Sequence, residues 1–269
     1  MPQTGDDAAF AELFAKIERE RGFRGHLYRQ KCLRRRVGVR MRARGLASVE
    51  SYSALLDRDR TEYDWLLRAL TINVSKFFRN RETWDVIGSK LLPELLDGDG
   101  PLLMWSAGAA GGEEAYSLAI LVRERLAACG QDGLQRVRII GTDIDEDSLE
   151  FARAAEYAEG ALAEIPETVR RRWFEAGAVN RLKDPIRCMV EFRNVDILKR
   201  RPDFEADMIL CRNLLIYLDR PAQRRVFETF VEVLRSGGYL VLGRVEMLAR
   251  ELKASFDVVN GRERIYRRR

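Results

Sequence analysis

The sequence predicts an α/β fold in which a helical region precedes a nucleotide-binding unit of strand, turn, helix and strand. Residues 102–145 carry the main evidence, because two short apolar runs flank a turn of small residues and a helix with apolar positions at i, i+3, i+4 and i+8. Residues 1–88 carry the second observation, since their apolar positions follow helical spacing. A chain of 269 residues can hold one large domain and one small one.

The predicted nucleotide-binding unit opens with an apolar run at 102–105 that has the length of a buried strand. A turn rich in glycine and alanine, residues 106–112, leads into a helix that starts with two glutamates. A second strand at 137–140 is followed by Asp143 within the sequence Gly-Thr-Asp-Ile-Asp. This order of elements is typical of a βαβ unit that binds a nucleotide.

The chemistry of this unit indicates a cofactor that lacks phosphate groups. Glycines let the backbone approach a ligand at a helix start, and Asp143 can accept hydrogen bonds from two ribose hydroxyls. The turn lacks the G-x-G-x-x-G spacing of a dinucleotide site. Glu113 and Glu114 would repel a pyrophosphate but suit an amine or a sulfonium. We therefore expect S-adenosylmethionine, although a glycine-rich turn alone is often only a tight turn.

Composition argues against several classes of protein. No apolar run reaches about 18 residues, and no basic-then-apolar leader is present, so we expect a soluble, cytoplasmic chain without membrane insertion. His26 is the only histidine, and the four cysteines form no C-x-x-C pair. Neither a histidine-based triad nor a metal site is therefore expected.

The N-terminal region is predicted to be a small helical domain. Its first helix has apolar residues at i, i+3, i+4 and i+7, namely Phe10, Leu13, Phe14 and Ile17. Ser48 is expected to cap a third helix, and Thr61 to begin a capping box before a fourth. We place the boundary of this domain after residue 88, so that residues 89–269 form the second domain.

The second predicted helix is strongly basic, with eight Lys or Arg between residues 29 and 44. Its apolar stripe consists of Leu33, Val37 and Met41, and its cationic stripe consists of Arg36, Arg40 and Arg44. The cationic stripe can be a solvated face, a nucleic-acid site or a docking surface for an acidic protein. No aromatic residues are interleaved with the arginines, which argues against nucleic acid. Arginine suits an acidic protein because its guanidinium pairs with carboxylates in a bidentate manner.

Residues 72–80 contain two adjacent phenylalanines, Phe77 and Phe78, in a polar setting. These rings could be simple core anchors. Alternatively, the segment packs one face and lines a site with Asn73, Ser75 and Arg79. Spacing alone does not choose between the two interpretations.

The C-terminal region predicts further elements of a sheet. A helix from Pro221 to Leu234 is followed by a turn at 236–238 and a strand at 239–242. The Asn260-Gly261 pair predicts a two-residue hairpin turn between two more strands.

Five motifs together resemble the CheR family of chemotaxis receptor glutamate O-methyltransferases. In chain order they are Asn-Val-Ser-Lys-Phe-Phe-Arg at 73–79, Trp-Ser-Ala-Gly at 105–108, Gly-Glu-Glu-Ala-Tyr-Ser at 112–117, Thr-Asp-Ile-Asp at 142–145 and Cys-Arg-Asn-Leu-Leu-Ile-Tyr at 211–217. The resemblance extends from about Phe10 to Glu246. It implies a Rossmann-like class I methyltransferase fold with a small all-helical N-terminal domain, and methyl transfer from S-adenosylmethionine to receptor glutamates for adaptation in chemotaxis.

The resemblance also implies roles for individual residues in binding the cofactor. The implied set is Asn73, Ser75, Arg79, Glu114, Asp143, Asp196, Ile197, Arg212 and Asn213. Glu114, or alternatively Glu113, would hold the amino-acid end of the cofactor, and Asp143 the ribose. Asp196 and Ile197 would flank the adenine.

Catalysis and docking are implied for a second set of residues. Tyr217 would stand close to the transferred methyl, and with Arg79 it would position the reacting groups without transferring protons. The cationic stripe would dock the cytoplasmic helical region of a chemoreceptor, and the chain is expected to act as a monomer. Two alternatives stay open: a methyltransferase acting on another protein or on RNA, and a non-catalytic signalling module that binds the cofactor.

Four features that depart from the family pattern, or from part of the family, bear on this interpretation. Ala115 replaces a proline, and Ser75 replaces a threonine but keeps the hydroxyl. The late Gly-His-Ser-Glu element reads Gly-Arg-Val-Glu at 243–246, so no role is assigned to Arg244. Residues 175–193 could form only a short version of the β-subdomain that docks a receptor's C-terminal pentapeptide in some members, which implies independence of that tether.

Overall fold

The computed structural model describes residues 5–71, 75–128, 130, 134–175, 177 and 179–269. The chain divides into two compact units: Met1–Asn73 with Ile216–Gln223, and Val74–Leu215 with Arg224–Arg269. Residues 74–88 therefore group with the second unit, and the short segment 216–223 groups with the first. The domain boundary after residue 88 stays a prediction.

The first unit is helical in its described part. Its helices are α1 (Gly5–Arg21), α2 (Gln30–Ala43), α3 (Val49–Arg58) and α4 (Arg60–Leu70). The predicted apolar positions of α1 and the apolar stripe of α2 are buried, which confirms both amphipathic patterns. The Ser48 side chain accepts a hydrogen bond from the amide of Ser51 and caps α3 as predicted.

The predicted capping box at Thr61 is wrong. Asp59 caps α4 instead, because its carboxylate accepts a hydrogen bond from the amide of Glu62. The helix consequently starts at Arg60, and Thr61 lies within its first turn. The carboxylate of Asp59, two residues before Thr61, therefore accepts from a free amide at the helix start, which is the role predicted for the threonine.

Strands alternate with helices in the second unit. Its described strands are β1 (Leu102–Ala107), β2 (Val137–Asp143), β3 (Glu156–Tyr157), β4 (Phe174–Glu175), β5 (Asn180–Leu182), β6 (Val190–Asn194), β7 (Ala206–Cys211), β8 (Leu234–Leu242), β9 (Phe256–Asn260) and β10 (Ile265–Arg268). Its described helices are α5 (Arg81–Val86), α6 (Leu92–Leu96), α7 (Glu113–Ala128), α8 (Glu146–Ala154), α9 (Glu167–Trp173) and α10 (Asp184–Arg187). Helix α11 (Arg220–Val233) begins in the segment that groups with the first unit.

The main sheet has seven strands among the described residues, in the order β6-β2-β1-β7-β8-β10-β9. The strands from β6 to β8 are parallel, and β10 runs antiparallel to both of its neighbours. The apolar run of β1 is buried because it lies between two parallel neighbours. This arrangement confirms the predicted α/β fold with a helical N-terminal part.

The predicted two-residue turn of the C-terminal hairpin is wrong. Strand β9 ends at Asn260 and β10 begins at Ile265, so four residues lie between the two strands. The Asn260 side chain accepts a hydrogen bond from the amide of Glu263. Glu263 is itself buried and binds Arg244 and Thr83, which explains why the loop is longer than the Asn-Gly pair alone predicts.

A small antiparallel sheet with the order β3-β5-β4 accompanies the main sheet. Its strands are only two or three residues long, as expected for a short β-subdomain. It begins earlier than the predicted range 175–193, because its edge strand β3 follows α8 directly.

Among the helices that the structure describes, none is long and apolar enough to cross a membrane.

Candidate active site

Four neighbouring parallel strands of the main sheet end at residues that the sequence predicts to form the site. β2 ends at Asp143, β6 is followed by Asp196 and Ile197, and β7 is followed by Arg212 and Asn213. The turn into α7 follows β1, which lies between β2 and β7. Ligands of open α/β sheets bind at this carboxyl edge. The fold therefore brings the predicted site residues of the second unit to the same edge of the sheet.

The turn between β1 and α7 lies close against the end of β2. Gly108 and Gly112 have φ angles of +79° and +88°, which favour glycine. The amide of Gly108 donates to the carbonyl of Thr142 at 2.8 Å. A side chain at Gly112 would place its Cβ 2.9 Å from Ala152 and Phe192. The small residues of this turn are thus required by its close packing.

Asp143 is held in place by two backbone amides. The amide of Ala110 donates to its Oδ2 at 2.9 Å, and the amide of Asp145 donates to its Oδ1 at 3.0 Å. Burial raises the pKa of Asp143 in spite of these bonds. Each carboxylate oxygen can accept a second hydrogen bond, so the group can still bind a hydroxyl pair.

Glu114 is buried and already partnered. The hydroxyl of Ser106 donates to its Oε1 at 2.7 Å, and the Arg212 guanidinium lies 3.8 Å from its Oε2. Burial raises the pKa of Glu114 to about 7, although the positive charge of Arg212 opposes this shift. Arg79 also acts on Glu114 through its charge. The predicted residues Arg79, Glu114 and Arg212 thus form one electrostatic cluster.

Glu113 differs from its neighbour in having an oxygen without a partner. Its side chain is only 7% exposed, and its Oε2 has no hydrogen-bond partner among the described residues. The side chain of Ser75 forms a hydrogen bond with this carboxylate, while burial raises its pKa. A Cβ at Gly111 would lie 2.8 Å from Oε2. The open acceptor of this pair is therefore on Glu113.

Arg212 is buried beneath the end of β7. Its guanidinium donates to the carbonyl of Arg79 and to Asn80, and it lies 5.5 Å from the centre of the Trp84 ring. Burial lowers the pKa of Arg212, although the charge of Glu114 opposes this effect. Trp84 and Asn80 were missed by the sequence analysis, because only their packing against Arg212 relates them to the site.

Asn213 has a φ angle of +64°, in the left-handed region. Its amide donates to Oε2 of Glu246 at 3.0 Å. Glu246 belongs to the Gly-Arg-Val-Glu element at 243–246, which differs from the family pattern, and the sequence analysis gave it no role.

Asp196 and Ile197 lie half-buried beyond β6. The amide of Leu198 donates to Oδ1 of Asp196 at 3.0 Å, and Lys199 lies 3.5 Å from its Oδ2. The amide of Val195 donates to the carbonyl of Asp143 at 2.9 Å, which places this segment next to the end of β2. Asn73 lies outside the described residues.

The segment with two phenylalanines combines both interpretations that the sequence left open. Phe77 and Phe78 are buried in the core of the second unit. Ser75 and Arg79 are half-buried and interact with Glu113 and Glu114 respectively. The segment therefore anchors itself with its rings and supplies polar groups to the site.

Tyr217 groups with the helical unit. The amide of Arg29 donates to its carbonyl at 2.8 Å, and the Arg36 guanidinium lies 5.8 Å from the centre of its ring. Arg36 also donates to the carbonyl of Ala69 at 2.6 Å. Burial lowers the pKa of Arg36, and the electrostatic interaction with Tyr217 opposes this shift.

The other two residues of the cationic stripe pair with carboxylates of the same unit. Arg40 donates to both oxygens of the buried Glu62, at 3.0 and 2.6 Å. Arg44 donates to Asp59 at 2.8 Å. Arg44 is nevertheless exposed, as are the α2 residues Lys31, Arg35 and Arg42.

The residues at the strand ends fit S-adenosylmethionine. Its ammonium group and its ribose need hydrogen-bond acceptors, and this site has several carboxylates, including the Glu113 oxygen to which none of the described residues donates. Burial of these carboxylates in a low-dielectric setting strengthens their attraction to a cation.

The chain matches two family models along its length. Residues 8–71 match the CheR methyltransferase all-alpha domain, and residues 73–265 match the CheR methyltransferase SAM binding domain. A chemotaxis protein methyltransferase of Listeria innocua is 32% identical over 86% of this chain and 87% of its own length. Chemotaxis protein methyltransferase 2 of Pseudomonas aeruginosa is 34% identical over 78% of this chain and 76% of its own length.

A longer relative also contains this sequence pattern. An uncharacterized 104.1 kDa protein of Rhodobacter capsulatus is 33% identical over 89% of this chain, which spans only 25% of that relative. The two matched models together cover most of the chain, in the same order as the helical part and the parallel sheet. The chain therefore belongs to the CheR methyltransferase family, and its larger part is an S-adenosylmethionine-binding domain.

Proposed function

We propose that the chain is a protein-glutamate O-methyltransferase that transfers a methyl group from S-adenosylmethionine to glutamate side chains of methyl-accepting chemotaxis receptors. The observation that carries this proposal is the row of carboxylates at adjacent strand ends, in a chain whose two parts match both domains of the family. The proposed setting is the cytoplasm, where the helical signalling region of a chemoreceptor is accessible to a monomeric enzyme.

The chemistry requires orientation more than proton transfer. Bound S-adenosylmethionine supplies a methyl group on a positively charged sulfur. A glutamate side chain has a pKa near ~4.3 and is already ionised at neutral pH, so no general base is needed. This agrees with a chain whose only histidine, His26, is exposed and pairs with Glu18. Orientation and exclusion of water can contribute roughly 7–11 kcal/mol to such a reaction.

The proposed cofactor contacts follow the order of the strands. Asp143 would bind the ribose hydroxyls, and Asp196 with Ile197 would flank the adenine. Glu114, or alternatively Glu113, whose Oε2 has no hydrogen-bond partner within the described part of the chain, would receive the ammonium group. Arg79, Arg212 and Asn213, together with Ser75 and Asn73, would order the site around it.

Helix α2 is the proposed docking element for the acceptor. Arg36, Arg40 and Arg44 keep their assignment as docking residues, although each already has a contact within the helical unit. The exposed Lys31, Arg35 and Arg42 would extend the same basic surface. A receptor helix with acidic residues next to its methylated glutamates fits this surface by charge.

Methyl transfer to purified cytoplasmic fragments of chemoreceptors tests the proposal. Labelled S-adenosylmethionine should give a carboxyl methyl ester, which releases labelled methanol in base. Fragments with Glu→Gln at the methylation sites serve as the matched blank and should remain unlabelled. If cofactor binds but no base-labile label appears on any fragment, the receptor is not the acceptor.

The role of Tyr217 has a separate test. Tyr217→Phe removes only the hydroxyl, which we propose to position the reacting groups. Turnover should fall by at least about tenfold, while the dissociation constant for S-adenosylhomocysteine changes less than about twofold. Normal turnover in this variant would remove the proposed role.

A further inference from the structure

Glu246 is a buried carboxylate that the proposed reaction does not use. It is 3% exposed and follows β8 in the element Gly-Arg-Val-Glu. Its Oε2 accepts the amide of Asn213 at 3.0 Å and the amide of Gly243 at 2.7 Å. Because Cys211 and Leu242 are paired in the sheet, one oxygen joins the chain segments that leave two adjacent strands.

The bond to Asn213 supports a backbone conformation that is otherwise unfavourable. A φ angle near +64° is energetically costly for a residue other than glycine, although asparagine tolerates it better than most. A charge-assisted hydrogen bond from this amide is strong enough to offset that cost. The conformation of Asn213 thus depends on a partner that is 33 residues away.

Gly243 leaves the room that this bond needs. A Cβ at this position would lie 2.7 Å from Oε2 of Glu246 and 3.0 Å from the amide nitrogen of Asn213. Any larger residue would therefore push the carboxylate away from both amides.

Arg244 fixes the same loop from its other side. Its Nε and one terminal nitrogen each donate to Glu263 at 2.9 Å. The hydroxyl of Thr83 donates to the same buried Glu263 at 2.6 Å. The loop that carries Glu246 is thus tied to the C-terminal hairpin and, through Glu263, to helix α5, which limits how far the carboxylate can move.

We propose that Glu246 is a positioning residue of the cofactor site, which holds Asn213 in its left-handed conformation through the amide bond. The inference rests on the proposed function, because it takes the assignment of Asn213 to the cofactor from it. It gives a role to the 243–246 element. Gly243 leaves space for the carboxylate, Arg244 holds the loop through Glu263, and Glu246 accepts the hydrogen bond from Asn213.

Calorimetric binding of S-adenosylhomocysteine to the full chain tests the proposal through a double-mutant cycle. Glu246→Ala should weaken binding by about tenfold, the effect expected when one charge-assisted bond is lost. Asn213→Gly should also weaken binding because it removes a side chain assigned to the cofactor, but glycine adopts the left-handed conformation without strain. In the Asn213→Gly background, Glu246→Ala should therefore cost no more than about twofold.

Two further variants keep the test valid if Glu246→Ala does not fold. Gly243→Ala keeps the Glu246 and Asn213 side chains but displaces the carboxylate from the two amides, so it should reproduce the loss without adding to that of Glu246→Ala. Glu246→Gln keeps an acceptor oxygen and should stay within about threefold of the wild type. Circular dichroism and thermal melting check that each variant is folded.

The outcomes separate the inference from the proposed function. Fully additive losses in the cycle, or wild-type binding by Glu246→Ala, overturn the positioning role and leave the cofactor assignment of Asn213 intact. Wild-type binding by Asn213→Gly overturns that assignment and the inference with it. None of these results depends on the identity of the methyl acceptor.

Discussion

At the scale of single residues, Glu113 and Glu114 begin the same helix but have different surroundings. Glu114 is held by Ser106 and Arg212, whereas Glu113 retains an oxygen without a partner among the described residues. The family resemblance assigns the amino-acid end of the cofactor to Glu114, with Glu113 as the alternative, but it does not reveal how their surroundings differ. The difference between the two glutamates depends on Arg212, which is distant along the chain. Arg212 lies near Glu114 because β7 and β1 are neighbours in the sheet.

The pH dependence of cofactor binding distinguishes the two glutamates. Burial raises the pKa of Glu114 to about 7, so a bound ammonium group must compete with a proton below that pH. We expect the affinity for S-adenosylhomocysteine to rise between pH 6 and pH 8, by at most about tenfold per pH unit. Calorimetry of wild type and Glu114→Gln across this range measures the effect.

The variant provides the control for this prediction. If Glu114 is the titrating group, Glu114→Gln should bind more weakly and show a flat profile. An unchanged slope in this variant would transfer the role to Glu113, and a flat wild-type profile would contradict the prediction.

At the scale of elements, the helical unit contains a buried ionic contact that sequence patterns do not reveal. Arg40 and Tyr52 both donate to Glu62, which is 1% exposed. Burial opposes the ionisation of Glu62, but the hydrogen bonds from Arg40 and Tyr52 outweigh it and lower its pKa. A residue read as part of a capping box is therefore the acceptor that links α2, α3 and α4.

Glu62→Gln should destabilise the protein by about 2 kcal/mol, because it removes the charge from a buried acceptor and leaves Arg40 without its counter-ion. Urea unfolding at neutral pH measures this loss. Since the folded pKa of Glu62 is depressed, its contribution is present at neutral pH and disappears as the pH falls through that value.

Arg42→Ala is the matched control on the same basic helix. Arg42 is exposed, so the substitution should change the free energy of unfolding by no more than about 0.5 kcal/mol. Equal stability of Glu62→Gln and wild type would show that the buried contact contributes nothing.

Helices and strands are predicted correctly where the spacing of apolar residues defines them. The prediction fails where a side chain that is distant in the sequence determines the local conformation. The apolar stripes of α1 and α2 and the run of β1 need only local spacing, and the structure confirms them. The hairpin after Asn260 is longer than its local signal because Glu263 binds Arg244 and Thr83. Such partners have no signature in a single sequence.

At the scale of the whole molecule, the α/β fold and the helical N-terminal part could both be anticipated from the sequence, whereas the order of the strands comes from the structure. The carboxyl-edge position of Asp143, Asp196 and Asn213 follows from parallel strands alone. The grouping of residues 216–223 with the helical unit could not be anticipated, because it depends on backbone bonds to residues 27–29.

Native-state hydrogen exchange of the full chain tests this grouping. The amide of Asp219 donates to the carbonyl of Leu27 at 3.0 Å, so it should become exposed together with the helical unit. In rising urea, peptides covering 216–223 are expected to exchange with those of α2. Exchange in step with β7 instead would contradict the division of the chain.

Segment 216–223, which groups with the helical unit, limits how parts of this chain can be exchanged with those of a relative. A chimera that exchanges only residues 1–73 with those of a relative would pair a foreign helical part with the original Tyr217 and its neighbours. The backbone bonds at Leu27 and Arg29, and the contact of Arg36 with the tyrosine ring, would then join two different parents. A transplant of acceptor preference therefore needs two segments to be exchanged, residues 1–73 and residues 216–223, which requires three crossovers.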